Sequence, residues 1–120
     1  MLSDLYVIKS RNYSEDRGEA ILKLTAKHQI FDGHFPEKPI LPGVILVHFF
    51  KKEAEHFFQE KLQISKLSHV KFLKTIEPTL VSELQLDSTF RKIDQTYEIT
   101  GKVVSQKEVY AKVKLVCKKV

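Results

Sequence analysis

The sequence has no tryptophan, one cysteine and one methionine among its 120 residues. A lone thiol, Cys117, closes no internal disulfide, and no Cys/His metal spacing is present, so neither a disulfide framework nor a zinc module organises the chain. Arginine is scarce, confined to Arg11, Arg17 and Arg91. No Arg/aromatic platform accompanies these residues, which argues against nucleic-acid binding. No apolar run approaches the length of about 18 residues that a membrane span needs. The opening Met1-Leu2-Ser3-Asp4-Leu5-Tyr6 has neither a basic n-region nor a small-residue cleavage site, so no secretory leader is expected and the cytoplasm is the default location. Glycine and proline number only four each, and they are clustered. Gly33, Pro36, Pro39, Pro42 and Gly43 all fall within residues 31–44.

What is present fits one domain over residues 1–120. Hydrophobic residues make up 42% and charged residues 29%, a globular composition that excludes disorder. The formal net charge is +5, from 20 Lys+Arg against 15 Asp+Glu. Such an excess is a solvated lysine-rich surface or one that favours an acidic partner.

Taken in order, residues 4–10 predict a first strand or a short lead-in. Asn12 to Gly18 is polar and predicts a turn. Glu19 to Thr25 sets Ala20, Leu22 and Leu24 against Ile21, Lys23 and Thr25, a strand of period two. Val44 to Glu60 predicts the one long helix. Its first two turns are apolar almost all round and should be buried, while Lys51, Lys52, Glu53, Glu55 and Glu60 should form polar surface further on. From Leu62 the pattern is β. Residues 68–73 alternate and lead to Glu77-Pro78, and Leu84, Leu86 and Ser88 oppose Glu83, Gln85 and Asp87. A turn is predicted at 92–95, and strands over 96–104 and 108–118 are joined by Ser105-Gln106-Lys107. One helix packed on one face of a curved antiparallel sheet is an α+β layer arrangement. An unpaired edge in so small a sheet invites dimerisation.

The loop Phe31-Asp32-Gly33-His34-Phe35-Pro36-Glu37-Lys38-Pro39-Ile40-Leu41-Pro42-Gly43-Val44 is conformationally specified by its prolines and glycines. It carries one histidine and runs straight into the apolar helix, whose free N–H groups and positive dipole end would face whatever the loop holds. By its chemistry alone it is either a reactive site or a tight connection with an incidental histidine. Phe31 and Phe35 flank His34 and either line an acyl tunnel or pack in the core. Phe49, Phe50, Phe57 and Phe58 are expected as core and dimer contacts, and Tyr97 and Tyr110 as packing residues.

Gly33-His34-Phe35-Pro36, then Pro39-Ile40-Leu41-Pro42-Gly43-Val44 and the apolar helix, resemble the β-hydroxyacyl-acyl carrier protein dehydratases of the hot-dog fold. Val70-Lys71-Phe72 followed by Glu77-Pro78, and two closing strands ending near Cys117, fit the same pattern. The resemblance implies a hot-dog fold, a curved antiparallel sheet around the helix, in a homodimer or a heterodimer with another hot-dog subunit. It implies dehydration of a 3-hydroxyacyl thioester to the trans-2-enoyl thioester in fatty-acid or related lipid biosynthesis. The substrate would ride on the phosphopantetheine of acyl carrier protein, with no metal and no separate cofactor. By residue, His34 would take the α-proton and the Gly43 N–H would hold the thioester carbonyl. Phe31, Phe35 and Val44 would contact the acyl chain. Imidazole suits the base role because its unperturbed pKa lies near operating pH.

Two positions depart from the pattern. The family carries Glu or Asp in the early helix, where this sequence has His48, and it commonly has Pro-Gly-Asp where this sequence has Pro78-Thr79-Leu80. Three roles for His48 stand open: it replaces the acid, it is a bystander while His34 performs both proton transfers, or a partner subunit supplies the acid. Glu53 lies about 140° round the helix from His48, and Glu55 about 10 Å further along the axis, so neither is an easy substitute. The alternatives to a dehydratase are a hot-dog acyl thioesterase, or an acyl-binding or partner subunit that a second hot-dog protein completes.

Overall fold

The computed structural model describes residues 4–25 and 40–120. Six strands and one helix follow in the order β1 (Tyr6–Ser14), β2 (Arg17–Leu24), α1 (Gly43–Phe58), β3 (Leu62–Phe72), β4 (Glu83–Ile93), β5 (Thr96–Ser105) and β6 (Glu108–Lys119). The strands form one antiparallel sheet in the spatial order β1-β2-β4-β5-β6-β3. This is the α+β hot-dog fold, with the curved sheet wrapped around the helix.

Alternation decides which face meets α1. Ala20, Leu22 and Leu24 of β2, Leu84, Leu86 and Phe90 of β4, Tyr97, Ile99 and Val103 of β5, and Ala111, Val113, Leu115 and Cys117 of β6 are all buried. The helix answers with Ile45, Leu46, Val47, Phe49, Phe50 and Ala54. At Gly101 of β5 the helix packs tightly on the sheet. A Cβ there would lie 2.3 Å from a ring carbon of the fully buried Phe50. Gln106 and Lys107 both have positive φ, 50° and 67°, the backbone of a tight β5–β6 hairpin that matches strand twist. Among the described residues no helix is long and apolar enough to cross a membrane.

Three expectations are corrected. The turn expected over Asn12 to Gly18 shrinks to Glu15 and Asp16, because Asn12, Tyr13 and Ser14 belong to β1 and Arg17 opens β2. Arg11 and Tyr13 face inward and find polar partners on the helix, so their polarity does not end the strand. Glu53, expected on the polar surface, is 3% exposed. Val44, expected in the buried end of the helix, is 72% exposed, because the chain's own sheet does not reach that side. The expected cores hold elsewhere: Phe49 and Phe50 are interior, Tyr97 and Tyr110 are buried, and Phe57 and Phe58 pack on Phe90.

Candidate active site at the helix N-terminus

Pro42 is the N-cap residue of α1, with extended backbone at φ −63° and ψ 139°. Among the described residues no side chain caps this end, and no acidic residue stands in the first turn. The first turn closes through the Ile45 N–H on the Pro42 carbonyl at 3.0 Å. The helix start is tied to the chain after β3 by the Leu41 N–H donating to the Ile76 carbonyl at 2.8 Å. First-turn N–H groups with no intrahelical partner and the positive dipole end are the kind of donors that could hold a developing oxyanion.

A cavity of ≈ 300 Å³ opens at this helix start, lined by Pro42, Gly43, Leu46, Phe72, Leu73 and Ile76. The Phe72 ring lies over Gly43, and a Cβ on Gly43 would sit 2.4 Å from Cζ of that ring. A larger residue at 43 would have to displace this ring. Phe72 is 53% exposed, so its ring has room to move aside. Neighbouring Leu73 is also exposed. The result is an apolar mouth leading to backbone donors, which suits an acyl thioester with its carbonyl at the donors and its chain against the ring.

Val44 and His48 are one turn apart and share a helix face. His48 is half-buried. Burial, then the nearby Lys52 and Lys51 charges, hold its pKa below the ordinary 6.5, with Glu55 pulling weakly the other way. This direction disfavours the imidazolium, which suits His48 to accepting a hydrogen bond or orienting a water.

The two helix carboxylates nearest His48 are both engaged. Glu53 accepts from Arg11 Nε and Nη2 and lies 3.3 Å from the Tyr13 hydroxyl. Glu55 accepts from the Leu62 N–H at 2.9 Å and pairs with Lys51 and Lys52. Burial alone would raise the Glu55 pKa, but the Leu62 hydrogen bond and the two lysines outweigh it and hold the carboxylate ionised. Cys117 is buried, and burial pushes its thiol up to about 11, leaving it unreactive at neutral pH.

Of the expected site, Gly43 lines the cavity at the helix start, whereas Val44 and His48 share a helix face and are not among its lining residues. His34, Phe31 and Phe35 lie outside the described residues. The sequence reading did not single out Phe72 as a site residue. It lies in the alternating run 68–73, and only the packing against Gly43 shows what it covers.

The chain matches the family model of ApeI-like proteins, described as ApeI dehydratase, over residues 10–113. It is 29% identical over 104 residues to the 3-hydroxyacyl-acyl-carrier-protein dehydratase FabZ of Erythrobacter litoralis, covering 79% of this chain and 68% of that protein. It is 30% identical over 73 residues to the FabZ of Clostridium botulinum strain Hall, covering 55% of this chain and 51% of the relative, so that match spans about half the relative's length. Among solved structures, the dehydratase heterocomplex ApeI:P from Xenorhabdus doucetiae superposes with a TM-score of 0.77 at 19% identity, covering 94% of this chain and 97% of that one, a likeness of fold. With the family match running from β1 into β6, across the helix start and its cavity, the chain belongs to the ApeI-like dehydratase family of the hot-dog fold.

Proposed function

We propose that this chain is one subunit of a two-subunit hot-dog dehydratase. It acts on a 3-hydroxyacyl thioester carried on the phosphopantetheine of acyl carrier protein. His34 takes the proton from C2, and the Gly43 N–H holds the thioester carbonyl as enolate charge develops. The C3 hydroxyl then leaves as water, with a proton from an acid, and a trans-2-enoyl thioester remains.

One observation carries the partner-dependent form of this reading: no helix carboxylate is free to be that acid. Glu53 is held by Arg11 and Glu55 by Leu62, Lys51 and Lys52, and burial and the nearby lysines disfavour the charged form of His48. A second hot-dog subunit would supply the acid across the interface. The exposed Val44, Phe72 and Leu73 around the helix start are the surface it would cover. The solved ApeI:P heterocomplex is a precedent for such pairing in a related fold. The same engaged carboxylates weigh against a thioesterase, which would need one of them to activate water.

The test incubates the purified chain, alone and with a co-expressed hot-dog partner, with 3-hydroxyacyl carrier-protein thioesters and follows products by mass spectrometry. The expected result is an enoyl product that requires the partner and is abolished by His34→Ala, whereas His48→Ala costs less than about tenfold, since a lost general acid typically costs 10²- to 10⁴-fold. Release of free thiol would establish the thioesterase instead. Full activity of the chain alone, lost with His48→Ala, would make His48 the acid.

A further inference from the structure

The outer face of the sheet, turned away from α1, carries a row of residues whose charges are sorted rather than alternated. Strand register sets Asn12, Glu19, Asp87, Lys102, Lys112 and Lys71 side by side across β1, β2, β4, β5, β6 and β3. The row reads polar, two carboxylates, then three lysines in direct opposition. Like charges directly opposite one another destabilise a sheet, and ordinary surfaces intersperse the two signs. All three lysines are exposed, and none of them makes an ion pair among the described residues. The next row adds Lys114, set between Thr100 and His69. The fold thus keeps a lysine ladder that its own stability does not favour.

A groove of ≈ 770 Å³ runs over this face, with Lys102, Lys112, Lys114 and His69 on one side and Glu19, Asp87 and Arg17 on the other. Neighbouring strands stand about 4.8 Å apart, close to the pitch of about 5.4 Å of an α-helix. Carboxylates on successive turns of a helix laid across the strands would therefore meet Lys102, Lys112 and Lys71 in turn. An anionic bilayer fits less well. The groove is lined by no exposed large apolar side chain that could insert, and Glu19 and Asp87 would face the headgroups. Lys71 and Phe72 are the last two residues of β3, and Phe72 lies over Gly43 on the opposite face. A flexible arm leaving the ladder at Lys71 has only to round the end of that strand to reach the cavity at the helix start.

We propose that the Lys102–Lys112–Lys71 ladder is the docking strip for an acidic helix of the carrier protein that delivers the acyl chain. The proposal rests on the carrier-thioester reading above. The decisive variant is Lys112→Glu, which places a carboxylate between Lys102 and Lys71. It relieves the like-charge ladder, so the fold should be at least as stable as the wild type, and a loss of docking cannot be a loss of folding.

Two measurements test it. In the first, apo acyl carrier protein without any acyl group is titrated by fluorescence anisotropy. Binding to the wild type should weaken as salt rises, and Lys112→Glu should weaken it by about tenfold or more at low salt. Lys107→Glu, the same charge change on the β5–β6 turn, should leave binding near the wild-type level. Equal binding by wild type and Lys112→Glu, or equal losses in both variants, overturns the strip. So does binding to phosphatidylglycerol vesicles without binding to the carrier.

In the second, KM for the carrier-bound 3-hydroxyacyl thioester should rise in Lys112→Glu with kcat unchanged, while KM for the same acyl group on free pantetheine stays put. Equal changes for both substrates overturn the strip. Absence of turnover with either substrate, by wild type and partner together, overturns the dehydration reading, and the titration still decides the docking strip by itself.

Discussion

Arg11 on the edge strand grips Glu53 on the helix with two nitrogens, Nη2 to Oε2 at 2.8 Å and Nε to Oε2 at 3.0 Å. The Tyr13 hydroxyl stands 3.3 Å from the same carboxylate and 3.3 Å from His56 Nδ1. Burial, then the Glu53 charge, pushes the Tyr13 phenol up to about 12. This pair ties β1, which has a strand neighbour on one side only, to the middle of α1.

Because Glu53 is buried, breaking the pair is expected to cost more than replacing it. Removing one partner of a buried ion pair leaves the other charge uncompensated and typically costs about 3–5 kcal/mol. Glu53→Ala should fall in that range in urea unfolding. The double variant Arg11→Met/Glu53→Leu should recover much of the loss, since apolar replacements of similar volume are often neutral. A loss below about 1 kcal/mol in Glu53→Ala would mean that the pair is screened as a surface pair is.

Two of the close-packed glycines, Gly101 and Gly43, should respond oppositely to alanine. At Gly101 the added Cβ meets the fully buried Phe50, which has nowhere to go, so overpacking should cost about 1–3 kcal/mol. At Gly43 it meets the half-exposed Phe72, which can swing outward. Gly43→Ala should therefore fold nearly normally yet lose turnover, because the methyl occupies the space over the helix N–H groups. Thermal melts and initial rates on both variants check this, and a Gly43→Ala enzyme with wild-type turnover would remove the helix start from the site.

His48 sets a pH dependence with a definite sign. Burial and the two lysines lower its folded pKa below 6.5, so the unfolded chain takes up the proton at higher pH than the folded one. Stability is full above 6.5, falls as pH drops from there through the folded pKa, and levels off below it. His48→Gln removes the step. The difference in unfolding free energy between wild type and His48→Gln should be flat above about pH 7 and turn against the wild type on acidification. A difference that turns in the wild type's favour on acidification would mean a raised pKa and would restore His48 as a proton donor.

Much of this architecture is legible in the sequence because burial on one face writes a period of two. Ala20-Leu22-Leu24 and Leu84-Leu86 are read directly as strands, and the apolar run after Pro42-Gly43 as the helix. The reading fails where a polar residue is buried with a partner. Arg11, Tyr13 and Glu53 look like surface, since the ion pair joining them spans 42 residues of sequence. It fails at Val44 for the opposite reason: an apolar residue lies exposed. The lysine ladder is invisible in the linear sequence, since Lys71, Lys102 and Lys112 become neighbours only through the β3–β6 and β5–β6 registers. Of the candidate site, Gly43 and the missing acid at His48 are legible by motif, while what occupies Glu53 and Glu55 needs the structure.

The two edges of the sheet are not equivalent, and this predicts where a second subunit attaches. β1 carries the exposed pair Lys9–Glu83 and a register break between Ile8 and Ser10, features that discourage further strand pairing. Among the described residues β3 bonds only to β6, and it exposes Ile64, Leu67 and Phe72. Its own bulges lie between Ile64 and Lys66 and between Leu67 and His69, which leaves the segment from His69 to Phe72 regular and next to the open Val44 side of the helix start. Pairing there would bury Phe72 and Leu73 and bring a second subunit's acid toward the cavity at Gly43. Light scattering should therefore report a two-subunit particle for the wild type. Leu67→Lys and Phe72→Asp should shift it to single chains, and Val7→Lys on β1 should not. Dissociation by Val7→Lys with retention by Leu67→Lys would place the interface on the opposite edge, far in strand order from β3 and its Phe72, and would end the case for a site completed across β3.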